Sequence, residues 1–290
     1  MARRKTIEMA HPPASLRTYP CDVPTNNAHK GAGLTNTTSS GLGNAARMAL
    51  TFVLIHGSWH DGSAWYAVKR CLQTRGHTVY APAVAGHGKG SRRDIGHDEA
   101  ARSVVDFIVN YDIADCVLVG HSGGGITISK VVEAIPYRVR RLVYLSGFVL
   151  RDGESQADFV PEHYRTSFEK AAANSDDQSI TRPFDLWHST FINDADETLA
   201  RSIYEMLSPE PYRLVTEQVK LKTYYTLSRP KSYILPTQDI TLPRDGERGW
   251  HPKATRRLGE HRFLEVEGSH EVMFTNPEAL AAALIAASVD

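Results

Sequence analysis

Three residues far apart along the chain, Ser122, Asp239 and His270, have the types that together transfer an acyl group. A serine hydroxyl is a weak nucleophile until a base takes its proton. An imidazole serves as that base when a carboxylate fixes its tautomer and orientation. Ser122 sits in Gly120-His121-Ser122-Gly123-Gly124, a Gly-x-Ser-x-Gly. Average glycine and serine usage yields roughly 0.1 such matches in a chain of this length. Asp239 closes Thr237-Gln238-Asp239 just past the apolar run Tyr233-Ile234-Leu235, where the orienting acid of such a histidine belongs. Asp245, deeper in the same loop, is the alternative acid. His270 lies in Gly268-Ser269-His270-Glu271 after the final apolar run, the only one of 13 histidines so placed.

These side chains need elements to hold them. Cys116-Val117-Leu118-Val119 reads as a buried strand, and Ile128, Val131, Val132 and Ile135 form the apolar stripe of a helix. Strand, Gly-x-Ser-x-Gly and helix describe a sharp turn that lifts the serine hydroxyl above a sheet, with helix N–H groups aimed at a developing oxyanion. Upstream, Thr51-Phe52-Val53-Leu54-Ile55 reads as a strand covered on both faces, running into His56-Gly57-Ser58-Trp59-His60. His56 is read as a residue that ties this loop down through its ring nitrogens. Ser63 is expected to cap a helix carrying Trp65, Val68 and Leu72, and His77–Tyr80 to form the second strand. The glycine-rich loop over residues 81–91 lacks the G-x-x-x-x-G-K-[ST] of a phosphate cradle and reads as a connection near the pocket. Val104, Phe107, Ile108 and Tyr111 mark a further helix, Arg141–Ser146 a strand, Lys231–Pro236 another and His261–Val266 the last. A helix opened by Asn276-Pro277 closes the chain. This repeated strand–helix–strand rhythm implies a doubly wound, mainly parallel α/β sheet. It breaks between about 148 and 230, an aromatic-rich stretch expected to form a mainly helical cap inserted over the elbow.

Composition bounds what the chain can be. With 290 residues, 41% of them hydrophobic, it has ample material for a core. Thirty-three basic residues balance 33 acidic ones, so no broad field exists to attract nucleic acid or an anionic membrane. No apolar stretch has the length of a membrane span. Cys21, Cys71 and Cys116 show no metal or disulfide spacing, and the reading is of a reduced, cytoplasmic-type protein. Residues 1–48 are rich in Pro, Ser, Thr, Asn and Gly and are expected to be a disordered extension, with residues 49–290 as the folded domain. Met48 is a candidate natural start, and the basic, acid-poor extension leaves an organelle address open.

Phe52-Val53-Leu54-Ile55-His56-Gly57-Ser58-Trp59-His60, Gly120-His121-Ser122-Gly123-Gly124, Thr237-Gln238-Asp239 and Gly268-Ser269-His270 resemble the α/β-hydrolase superfamily. Within it they are similar to the group of plant methylesterases, hydroxynitrile lyases and related bacterial esterases. The resemblance spans roughly Thr51 to Asp290. It implies that Ser122 is the nucleophile, His270 the general base and Asp239 its orienting acid, with the N–H groups of Ser58 and Gly123 as the oxyanion hole. It also implies a small to medium hydrophobic ester or lactone as substrate, with no cofactor and no metal. Gly57, Trp59, His121, Phe148, Trp187 and Glu271 are the residues set to line the pocket. A homodimer stays open, and neither nucleic acid nor membrane is expected as a partner. Two positions separate the subgroups. The lyases carry threonine where this chain has Gly57 and lysine where it has Glu271; the esterases have glycine at the first and an apolar residue at the second. Glu271 fits neither, and is either solvated or turned inward against anionic substrates. The rival readings are a carbon–carbon or cyanohydrin lyase using the same triad, and a small-molecule receptor without turnover.

Overall fold

The computed structural model describes residues 49–244 and 249–289. The expectations for residues 1–48 and for Asp245 fall outside those residues.

Strand β1 (Thr51–Ile55) leads through a 3-10 turn (Gly62–Trp65) into α1 (Tyr66–Thr74) and then β2 (Thr78–Tyr80). Asp61 caps this turn, its carboxylate accepting the Ser63 N–H at 2.8 Å and the Ser63 hydroxyl at 2.5 Å. The expected cap, Ser63, therefore lies inside the turn, because the acidic side chain two residues earlier reaches the open N–H. The second strand starts one residue late: His77 instead accepts the Leu50 N–H at its Nδ1 (3.1 Å). Next come α2 (His97–Asn110), β3 (Cys116–His121), α3 (Gly124–Ala134) and β4 (Val139–Leu145).

The chain leaves the sheet at Leu145 and returns to it at Lys231. The intervening stretch holds α4 (Gln156–Phe159), α5 (Glu162–Ala173), β5 (Ser179–Ile180), α6 (Phe184–Phe191), α7 (Glu197–Tyr204), β6 (Glu210–Pro211) and α8 (Tyr212–Thr216). The two short strands pair antiparallel. Strand β7 (Lys231–Pro236), α9 (Thr255–Arg257), β8 (Arg262–Val266), α10 (Val272–Thr275) and α11 (Pro277–Ser288) complete the chain.

The sheet runs β2-β1-β3-β4-β7-β8 and all its pairings are parallel. Alternation along each strand divides the apolar side chains between two cores. Phe52, Leu54, Val117, Val119, Val143 and Ile234 pack with Trp65 and Leu72 near α1 and with Leu280 and Leu284 of α11. Val53, Ile55, Leu118, Leu142 and Tyr144 face the other way, toward Val104 and Ile108 of α2 and Val131 of α3. Phe159, Phe168, Trp187 and Phe191 of the inserted stretch belong to this second core, so insertion and sheet share one apolar interior. Chain order reverses between β1 and β3, where strand ends diverge and leave a crevice for a ligand. The loops after β1, β3, β4, β7 and β8 carry the residues singled out from the sequence.

Candidate active site

The elbow serine is held in a conformation it would not choose. Ser122 has φ +49°, in the left-handed region that a side chain disfavours. Its N–H donates to Leu145 O (3.1 Å), and its carbonyl accepts the N–H groups of Gly125 and Phe148 (3.0 Å each). These bonds to β4 and to the following turn hold the strain in place. The turn also needs α3 against the end of β1: a Cβ on Gly124 would lie 2.6 Å from His56 O. Ser122 is 7% exposed.

The loop after β1 comes up beside it. A Cβ on Gly57 would lie 2.9 Å from Ser122 Cβ and 2.8 Å from His121 Nδ1. A Cβ on Gly123 would lie 3.7 Å from Ser58 N, so the backbone of both oxyanion candidates flanks the serine. His56 ties the loop down as expected. Its Nε2 accepts the Val84 N–H at 3.0 Å, which leaves Nδ1 as the protonated nitrogen donating to Gly57 O at 2.9 Å. Burial, and then the neighbouring His87, push its pKa well below the ordinary histidine value. The inserted stretch grips the next residue. Trp59, at φ +66°, donates its N–H to Glu210 Oε2 (3.0 Å) and its ring N–H to Ile180 O (3.0 Å), while its carbonyl accepts the Ser208 N–H (2.8 Å). Glu210 Oε2 also meets His87 Nε2 at 2.8 Å, and Glu210 is 3% exposed. Burial works against both charges, yet the pairing prevails: the His87 pKa lies above its usual value and that of Glu210 below. A small recess between this loop and α3 is lined by Ser58, Gly123, Gln156, His87 and Glu210, among others.

Asp239 and His270 meet where the loops after β7 and β8 converge. His270 Nδ1 is 2.7 Å from Asp239 Oδ2, and each residue is 1% exposed. Asp239 is saturated with donors: Ser146 Oγ reaches Oδ2 (2.6 Å), and the Thr241 N–H (2.9 Å) and hydroxyl (2.6 Å) reach Oδ1. Trp250 Nε1 in turn donates to Thr241 Oγ1 (3.0 Å). Burial alone would raise the Asp239 pKa, but His270 and these hydroxyls hold it well below the carboxylate range. Burial alone would lower the His270 pKa, and the Asp239 carboxylate reverses that, leaving it above 6.5. With Nδ1 engaged, Nε2 is the nitrogen left for proton transfer. The ring lies among Trp250 (5.7 Å, 16° between planes), Phe191 (5.5 Å) and His121 (4.6 Å). His121 Nε2 must donate to His270 O (3.1 Å), since a carbonyl only accepts. Burial, followed by the charge of His270, drives the His121 pKa down to about 3, so this ring stays neutral. His121 thus links the serine's own strand to the base.

Of the other pocket candidates, Phe148 packs on Trp250 (4.8 Å) and Trp187 on Tyr204 (5.7 Å) within the insertion. Glu271 is not solvated: it is 1% exposed, with Oε1 3.1 Å from His60 Nε2. Burial opposes its charge, but His60 holds its pKa down at about 2. Sequence inspection passed over Ser146, Thr241, Trp250, His87 and Glu210. Thr241 alone left a local trace, since a threonine two residues past an aspartate can cap that carboxylate.

Among the described residues, no helix is long and apolar enough to cross a membrane, and no group of three His, Cys, Asp or Glu could hold a metal ion. A model of the alpha/beta hydrolase family matches residues 52–283. Salicylic acid-binding protein 2 of Nicotiana tabacum is 29% identical over 261 residues, 81% of this chain and 95% of that protein. The carbendazim hydrolyzing esterase of a Nocardioides species is 35% identical over 114 residues, 38% of this chain and 47% of that protein. Among solved structures, an extracellular alpha/beta-hydrolase from a Paenibacillus species is similar with a TM-score of 0.80 and 39% identity, over 83% of this chain and 100% of that one. That protein is described as sharing structural and functional homology with the tobacco protein.

Proposed function

The chain belongs to the alpha/beta hydrolase family, and from that premise we propose that it is a serine hydrolase cleaving a small to medium hydrophobic carboxylic ester or lactone through an acyl-enzyme. The observation that carries this is the Asp239–His270 pair at 2.7 Å, set at the strand ends that also present Ser122 at positive φ. In the first step the Ser122 hydroxyl attacks the ester carbonyl and gives its proton to His270 Nε2. The carbonyl oxygen becomes an oxyanion facing the N–H groups of Ser58 and Gly123, and Asp239 stabilises the imidazolium that forms. Collapse expels the alcohol, which takes the proton back from His270. Water then repeats the cycle on the acyl-enzyme and releases the acid. The relative named as an esterase and the aromatic lining of the insertion support an ester with apolar parts.

Two observations weigh against a cyanohydrin lyase. A side chain at Gly57 would press into Ser122 and His121, so there is no room for a hydroxyl-bearing residue there without rearrangement. Glu271 puts a buried carboxylate where such a lyase needs a cation for departing cyanide. The test is hydrolysis of p-nitrophenyl butyrate together with covalent capture by a serine-directed fluorophosphonate. Ser122→Ala should abolish both while leaving the circular dichroism spectrum unchanged, and mandelonitrile should release no cyanide. Cyanide release at a rate comparable to ester hydrolysis overturns the assignment.

A further inference from the structure

Arg182, between β5 and α6, takes no part in the chemistry above. It is 6% exposed, and its Nε and Nη1 are buried without a hydrogen-bond partner among the described residues. Four rings surround the guanidinium: Tyr164 at 5.1 Å, Phe191 at 5.2 Å, Phe168 at 5.5 Å and Trp59 at 5.8 Å. The faces of these rings attract the charge, but the N–H donors need acceptor oxygens that the rings do not supply. Burial pulls its pKa down, and the Tyr164 phenol is the one titratable group that acts on it. The carboxylate of Glu271 is already paired with His60. A buried guanidinium with idle donors and no counter-charge among the described residues is expensive to keep.

Its surroundings lead straight to the triad. Phe191 also packs on His270 (5.5 Å), Trp59 follows Ser58, and the Tyr164 hydroxyl donates to Thr241 O (2.7 Å) beside Asp239. Phe191 thus touches both the guanidinium and the His270 ring, and the guanidinium fork matches the two oxygens of a carboxylate.

We infer that Arg182 is a specificity-determining residue that binds a free carboxylate carried by the ester, so that the preferred substrates are half-esters: apolar molecules with the scissile ester at Ser122 and an anionic end at Arg182. The inference rests on the esterase reading and narrows it. The direct test compares mono-p-nitrophenyl esters of dicarboxylic acids of four to eight carbons with their neutral methyl-capped counterparts, at pH 7.5. For at least one length the half-ester should be favoured in kcat/KM by ~10–10²-fold, mostly through KM, the range for hydrogen bonds to a charged group. In Arg182→Met that ratio should fall to about one, and Arg182→Lys should keep part of it. A wild-type enzyme with no preference at any length, or a preference that survives in Arg182→Met, overturns the inference. Binding separates this failure from failure of the esterase reading. Titration calorimetry of the monomethyl half-ester and the dimethyl ester onto Ser122→Ala should show the half-ester bound at least ~10-fold more tightly. Equal affinities sink the Arg182 assignment whether or not any ester is hydrolysed.

Discussion

At His270 two opposing influences meet, and on the proposed mechanism the balance between them would set the working pH. Burial favours the neutral ring, Asp239 favours the imidazolium, and the carboxylate wins. A base must be neutral to act, so kcat/KM should fall as pH drops through a value above the ordinary histidine 6.5. In Asp239→Asn the carboxylate is gone and burial remains, so the same limb should shift to lower pH while kcat drops by ~10²–10⁴. Profiles of both enzymes on p-nitrophenyl butyrate check this; an unmoved limb in the variant means that Asp239 does not set the base. Ser122, Asp239 and His270 were legible in the sequence because each sits in a short signature at a strand end. Ser146 was not, since a hydroxyl that serves a carboxylate through tertiary contact looks like any other serine; Thr241, two residues past Asp239, left only a local trace.

At the scale of elements, the loop after β1 is held from outside its own neighbourhood. Glu210 Oε2 binds the Trp59 N–H from 151 residues away, a partnership no local pattern could announce. The apolar run into His56-Gly57-Ser58 revealed the loop, and only the fold reveals its clamp. Oxyanion donors act on the transition state more than on bound substrate, so Glu210→Gln should lower kcat by ~10–10² with a smaller change in KM. An effect confined to KM contradicts the positioning role. The clamp also has a pH window. The raised His87 pKa gives stability that is full below the unfolded histidine value and lost as pH rises through the folded one. The depressed Glu210 pKa gives stability present above the unfolded carboxylate value and lost as pH falls through its folded one. The protection factor of the Trp59 amide, its exchange rate relative to the intrinsic rate at each pH, should therefore be greatest between those limits and fall on either side.

Across the whole molecule, the sheet divides two interiors with different duties. One lies against α1 and α11; the other is shared with the insertion and reaches the site through Phe191. Leu284 is fully buried in the first. Leu284→Ala should cost about 2–5 kcal/mol of unfolding free energy in urea titrations while leaving kcat/KM at 25 °C within about twofold. Phe191→Ala should damage both. The sheet was legible because apolar runs and helical stripes repeat at fixed periods, but the insertion was readable only in outline. Its aromatic residues follow no single period, so their pairing with one another and with Arg182 is decided by packing alone.

The stacking of Trp250 on His270 has an optical consequence. An imidazolium accepts an electron from an excited indole far better than a neutral imidazole does, and the two rings lie 5.7 Å apart and nearly parallel. Emission from Trp250 should therefore be quenched when His270 is protonated and brighten as it loses its proton. A fluorescence titration of the resting enzyme, with Trp250→Phe as the silent control, should report the protonation of the base with no substrate present. Its midpoint should coincide with the acid limb of kcat/KM. On the proposed mechanism, the stacked indole is an indicator dye beside the ring that would take the serine's proton.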